Sequence, residues 1–385
     1  MNGGSLPAAR RLRIVILGLS ITSSWGNGHA TTYRGLVNAL ARRGHDVVFL
    51  ERDQSWYRDN RDLPHPPYGE TVLYGSVDEL QQRWREQVYA ADLVIVGSYV
   101  PDGIAVCAWV QQTAGGITAF YDIDTPVTLS ALQTGTCQYL AAEQIAGFDL
   151  YLSFTGGPLL RDIEDNLGSP AARPLYCAVD PQIHMPQTLS HEWDLGYLGT
   201  YSTDRQPTLD RLLCEPARAW SGGKFVVAGP LYPADLIWPE NVRRVEHLEP
   251  AQHSRFFAQQ RFTLNVTRAD MIRCGYSPSV RLFEAAASGV PIISDWWDGL
   301  DTFFEPDREI LIARDTDEAL RYLRDIGEAA RQDIAQTARV RVLAHHTATH
   351  RAVALESYVE EVSDRAVSRG SPAHGDAIRE IEATR

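Results

Sequence analysis

The sequence predicts an α/β protein built from two doubly wound, Rossmann-like domains that face each other across a cleft. Three observations predict it. The chain has 385 residues, more than one hydrophobic core usually serves. Short apolar runs alternate with amphipathic helical patterns through the first half, and the same alternation starts again after a proline-bearing interruption. A polar-striped helical segment, Ser277 to Gly289, then runs straight into an apolar strand ending at Asp295, the layout of a ligand-bearing sheet edge.

The elements follow in order. Arg10-Arg-Leu-Arg ahead of Ile14–Ile21 imitates a signal peptide, but the run is short and no small-residue cleavage pattern follows it. A first buried strand handing over to a glycine loop explains the same residues better. Strands are expected at Arg13–Ser20, Asp46–Glu51, Leu93–Gly97, Ile117–Asp122 and Leu150–Phe154. The first two enclose the helical pattern Tyr33–Arg43, stopped by Gly44. Residues 1–180 form the first domain, and 181–193, within irregular sequence from Pro174 to Trp193, the linker. The second domain, 194–340, repeats the pattern with strands at Asp194–Gly199, Lys224–Gly229, Val242–Glu246, Phe262–Val266 and Val290–Ser294. A helix is expected over 341–365, and 366–385 reads as a disordered tail.

Composition narrows the partners. A formal net charge of −13 argues against nucleic acid or an anionic membrane, because binding phosphate backbones rests on clustered Lys and Arg. No segment approaches the roughly 20 apolar residues of a membrane span. The five cysteines are scattered without a close pair, which fits neither a disulfide framework nor a cysteine-ligated zinc site. A soluble, cytoplasmic protein is expected, with no metal and no cofactor.

Candidate site residues collect at predicted strand ends. Ser277 is placed to cap its helix with Pro278 as the first helical residue, while Arg281 and Glu284 share a face with Ser277. The helix start, including Ser279, and the Arg281 guanidinium suit a diphosphate, and the Glu284 carboxylate can accept both hydroxyls of a ribose. The plainer reading of Arg281 and Glu284 is a surface ion pair. Thr200 and Arg205, in a glycine and hydroxyl loop after one strand, and Arg268 after another are further donor-site candidates. In the first half, Gly26, Asn27 and Gly28 let backbone N–H groups approach a ligand, and His29 is a candidate base or sugar contact. The spacing does not match GxGxxG, which weakens a dehydrogenase reading. Asp122 and Asp124 close a strand where they can orient hydroxyls or take a proton; Asp-x-Asp also suits a divalent cation, though no further oxygen ligands are evident.

Taken together, Trp25-Gly-Asn-Gly-His-Ala-Thr-Thr-Tyr33, Phe120-Tyr-Asp-Ile-Asp-Thr-Pro126, Leu198-Gly-Thr-Tyr-Ser-Thr-Asp-Arg205, Leu264-Asn-Val-Thr-Arg268 and Ser277–Gly289 resemble the GT-B glycosyltransferases, and more closely their CgeB-like, spore-maturation branch. The resemblance implies a first domain for the acceptor, a second for the nucleotide sugar, and a C-terminal helix that returns to the first. It implies a ribose contact at Glu284 and diphosphate contacts at Arg281 and the Ser277–Ser279 helix start. Retaining relatives often carry a second glutamate eight residues earlier, where this chain has Tyr276. The expected function is metal-independent transfer from a nucleoside-diphosphate sugar to a small-molecule, glycan or protein acceptor, with Asp124, Asp122 or His29 as base if the anomer inverts. The alternatives are a sugar-nucleotide 2-epimerase and a catalytically silent carbohydrate-binding or scaffold protein.

Overall fold

The computed structural model describes residues 10–368, which divide into two compact units: the chain up to Tyr176 joined by the stretch from Ala348, and Cys177–Thr347. The first unit holds a seven-stranded sheet in the order β3-β2-β1-β4-β5-β6-β7, all neighbours parallel. Its strands are β1 Arg13–Gly18, β2 Asp46–Arg52, β3 Glu70–Tyr74, β4 Leu93–Gly97, β5 Ile117–Asp122, β6 Leu150–Ser153 and β7 Ala172–Pro174. Continuous apolar runs such as Leu-Val-Ile-Val in β4 bury every residue because helices cover both faces of a parallel sheet.

The second unit holds a six-stranded parallel sheet in the order β10-β9-β8-β11-β12-β13. Here β8 is Trp193–Leu198, β9 Phe225–Ala228, β10 Val242–Val245, β11 Gln260–Asn265, β12 Ile292–Ser294 and β13 Leu311–Ile312. In each sheet the order reverses beside the first strand, between β1 and β4 and between β8 and β11. Loops diverge there to opposite faces and leave room for a ligand beyond the carboxyl ends. No helix among the described residues is long and apolar enough to cross a membrane.

Two expected boundaries move. Residues 181–193, read as a linker, belong to the second unit, because Ser254 on the helix Pro250–Ala258 donates to the Met185 carbonyl (3.0 Å) and accepts from Gln187 (3.2 Å). Of the expected returning segment 341–365, residues up to Thr347 complete the second unit, and the helix Ala348–Ser368 joins the first. That helix extends past 365, so the expected tail begins inside it; 369–385 lie outside the described residues.

Candidate functional site

At the switch point of the second sheet, the ends of β8 and β11 are tied to the helix Val280–Ala287 by one side chain. Asn265, the last residue of β11, accepts through Oδ1 from Ser279 Oγ (2.9 Å) and from Arg281 Nη1 (3.0 Å), while its amide donates to Ser294 Oγ (2.9 Å). Arg281 also donates through Nε to the Leu198 carbonyl, and its guanidinium lies 4.9 Å from the Tyr197 ring centroid. Gly199 leaves room for these side chains, since a Cβ there would stand 2.5 Å from the Tyr197 hydroxyl and 2.9 Å from Arg281 Nη2 and would displace them. Asp295 continues the network, accepting from the Thr267 amide (3.0 Å) and hydroxyl (2.8 Å). Its burial raises the carboxyl above the usual range, against these hydrogen bonds.

The helix start is later than the sequence predicts. Gly275 and Tyr276 both take positive φ and the Tyr276 amide donates to Asp298 O (2.6 Å), so the chain through Pro278 is outside the helix. Ser277 therefore does not cap it. Ser279 occupies the N-cap, and its hydroxyl goes to Asn265 instead of to the helix amides. Nor do Arg281 and Glu284 form a surface ion pair, because both are buried and neither is paired with the other.

Three cations gather beside this edge. Arg205 follows the β8 loop and donates to the Thr200 carbonyl, while its Nε is buried without a partner among the described residues. Asp204 accepts from the Ala269 amide (2.8 Å), which fastens the Arg205 loop to the segment carrying Arg268. Among the described residues neither Arg205 nor Arg281 is in an ion pair with a carboxylate. Burial lowers the Arg205 pKa, and the neighbouring positive charges of Arg281 and Arg268 lower it further. Thr200 itself is exposed.

Glu284 is 4 % exposed. Two imidazoles face it, with His184 Nε2 at 3.6 Å from Oε1 and His253 Nδ1 at 3.7 Å from Oε2. Burial pushes the carboxyl up, but His184, His253 and Arg281 outweigh it and hold the group at about 2.

The first unit gathers a second constellation at its own switch point. Gly26 has φ +60 and turns the loop. Asn27 Oδ1 accepts the His29 amide (3.0 Å) at the start of the helix His29–Arg42, and the exposed Gly28 is its N-cap residue. His29 packs edge-on against Tyr99 with centroids 5.3 Å apart, and its Nδ1 is buried without a partner among the described residues. Burial lowers the ring to about 4, so it is neutral at ordinary pH. Tyr99 OH donates to Asp124 Oδ2 (3.1 Å). Asp122 lies beneath with no exposure, accepting from Tyr151 OH (2.5 Å), Thr128 Oγ1 (2.6 Å) and the Asp124 amide (3.2 Å).

Residues 205–357 match the model of a family described as Glycosyl transferase-like, which covers most of the second unit. Solved structures share the fold over nearly the whole chain. Sucrose-phosphate synthase from Thermosynechococcus elongatus is similar with TM-score 0.63 at 14% identity, covering 92% of this chain and 99% of that one. The Anabaena protein HepE in complex with UDP and glucose has TM-score 0.66 at 10% identity, with coverage of 91% and 100%. An alpha-glucosyltransferase in complex with UDP-glucose and DNA containing an abasic site gives 0.65 at 11%, again covering 91% and 100%. The chain has the GT-B fold of these structures. Comparison with curated protein sequences finds no match.

Within this GT-B protein, the residues expected at the donor end do converge: Ser279, Arg281, Arg205 and the Arg268 segment share the β8 and β11 ends. Those expected at the acceptor end, Asn27, His29 and Asp124, meet around Tyr99 in the first unit. Asp122 is enclosed and offers no free face. Sequence reasoning missed Tyr99, Asn265 as a hub, His184 and His253. Tyr99 stands at positive φ just after β4, a position the strand pattern does not mark, and the two histidines come from separate stretches with no spacing to link them.

Proposed function

We propose that the chain is a glycosyltransferase of the CgeB-like branch that transfers a sugar from a nucleoside-diphosphate donor. The observation that carries this is the pair of half-buried Arg205 and buried Arg281 at the switch point of the second sheet, without a carboxylate partner among the described residues. Withdrawing uncompensated guanidinium groups from water is costly unless an anion completes them, and a diphosphate is an anion that two such groups at one sheet edge can share. Structural relatives hold UDP or UDP-glucose, which supports a uridine nucleotide as the donor here.

On this reading Arg281, Arg205 and Arg268 neutralise the departing diphosphate, Ser279 and the first helix amides add hydrogen bonds, and Glu284 accepts from the ribose hydroxyls. The phosphate charge is met by guanidinium groups, so the transfer step itself requires no metal at the phosphates. The first unit supplies the acceptor residues. If the anomer inverts, His29 or Asp124 takes the acceptor proton, His29 being neutral and therefore able to accept one. Asp122 holds the Asp124 loop in place. The five cysteines form no disulfide among the described residues, which fits the reducing cytoplasm that is part of this reading.

The test is calorimetry with UDP, ADP and GDP on the full chain. One of them is expected to bind, and Arg281→Ala to weaken it by at least about tenfold through loss of a charge-assisted contact worth about 1.5–3 kcal/mol. Binding of none, or equal binding by the variant, would overturn the donor site. Labelled UDP-glucose incubated without acceptor separates transfer from 2-epimerisation, since only the latter yields a new epimer.

A further inference from the structure

We propose that His184, His253 and Glu284 form a binding site for a divalent transition-metal ion of the zinc type. Their ligand atoms, two imidazole nitrogens and a carboxylate oxygen, all lie within 4.8 Å of one another. The histidine-to-carboxylate separations of 3.6 and 3.7 Å are too long for hydrogen bonds, which cluster near 2.9 Å. They match a bridging ion: a metal about 2.0–2.1 Å from both members of such a pair subtends an angle of roughly 120–135°, at or somewhat wider than the trigonal value.

The second observation is the state of the ligands without an ion. His184 is 4 % exposed, and among the described residues neither of its ring nitrogens has a hydrogen-bond partner. Buried polar groups nearly always have a partner, so an orphaned imidazole facing an equally buried carboxylate at 3.6 Å indicates a missing occupant. Two imidazoles and one carboxylate leave a dication with net positive charge and an open position, the donor set of zinc, cobalt or copper sites. Magnesium and calcium, which require six or more oxygens, fit poorly.

The scaffold holds the ligands independently. The His184 amide donates to Asp180 O (2.9 Å), and Asp180 Oδ1 accepts the Gln182 amide (2.9 Å), fixing the turn. Ser254, next to His253, is bonded to the Met185 carbonyl and to Gln187. Glu284 sits in the middle of Val280–Ala287, whose closing Gly289 lies where a Cβ would touch Pro186. Three segments are thus cross-linked around the three donor atoms. The ligand set does not depend on the donor reading. Only the group beside the open coordination position does, since on that reading the ribose hydroxyls bonded to the Glu284 oxygen that is not on the ion lie there in place of water.

The experiment uses the full chain freed of metal with a chelator and titrated with zinc by calorimetry, with cobalt as a spectroscopic stand-in. A single zinc per chain, a tetrahedral cobalt band and at least about tenfold weaker zinc binding in both His184→Ala and His253→Ala are expected. A wild-type chain that takes up no stoichiometric zinc overturns the proposal, as does uptake that neither substitution changes. His253 is partly exposed, so His253→Ala keeps the test valid if His184→Ala does not fold, a point checked by far-ultraviolet circular dichroism. UDP binding to the metal-free wild type, measured in parallel, reports on the donor site alone, so each reading can fail without the other.

Discussion

At Asp122 the carboxylate meets two hydroxyls and an amide with no solvent, and burial raises its pKa to about 6 although all three contacts favour the charged form. A folded pKa above the unfolded one means stability is complete below the unfolded value of 3.8 and is lost as pH rises through about 6. Asp122→Asn keeps an acceptor without the charge. The stability of the wild type relative to this variant should therefore fall between about pH 4 and 6, by up to roughly 3 kcal/mol at about 1.4 kcal/mol per unit. Urea unfolding at several pH values measures it, and a constant difference would show that the carboxyl is not titrating where its burial puts it. His29 has the opposite sign. Its pKa is lowered to about 4, so its contribution is present above the unfolded value of 6.5 and is lost as pH falls toward 4. As the proposed base it would remain competent in mild acid. The His29-dependent acid limb of kcat/KM should lie near pH 4, and a limb near 6.5 would place the imidazole in solvent.

Elements carry the site through their ends. Because Asn265 Oδ1 is shared by Ser279 and Arg281, Asn265→Ala strips both of an acceptor in a buried place. A loss of about 1–3 kcal/mol in stability is expected, together with weaker UDP binding than in the wild type. Thermal unfolding and calorimetry on the same samples check the two together; lost stability with unchanged affinity would mean Arg281 is held adequately by Leu198 and Tyr197 alone. The elements also show what is legible in a sequence. Strands such as β4 and β5 were readable because a strand buried on both faces needs an unbroken apolar run. β3 was not, since Glu-Thr-Val-Leu-Tyr is largely half-buried at the sheet edge, and β7 and β13 are three and two residues long. Val280–Ala287 was readable as a helix but not to its first residue, because a serine followed by proline satisfies the cap pattern whether or not Tyr276 turns left-handed before it. Glu284 stood out by its place on that helix. Its two histidine neighbours did not, as only the fold brings 184 and 253 to it.

For the whole molecule, the decisive fact is that the first unit is discontinuous in sequence: it is left at Tyr176 and completed only from Ala348. The returning helix Ala348–Ser368 is fastened by charge as well as packing. Glu356 accepts from Arg43 Nε (2.5 Å) and Nη2 (2.6 Å). His45 Nδ1 accepts the Leu12 amide (3.1 Å), so its Nε2 carries the proton and donates to Glu356 (2.7 Å). Further along, Tyr358 OH donates to Pro174 O (3.0 Å) and Glu361 accepts from Arg173 Nε (3.0 Å), securing the helix to the edge strand β7. Glu356→Gln should cost the first unit about 1–3 kcal/mol, less than for a fully buried pair because Arg43 is half-buried and keeps some water when it loses its counter-charge. A chain ended after Thr347 goes further. It exposes the face of His29–Arg42 that carries Gly35, packed here against Ala348, and should lower the melting of the first unit while leaving the second intact. Hydrogen exchange resolves the two: amides of β1–β7 should lose protection and those of β8–β13 keep it, with UDP affinity retained. Equal loss of protection in both sheets would show that the units fold as one cooperative body and that the helix stabilises more than the unit it completes.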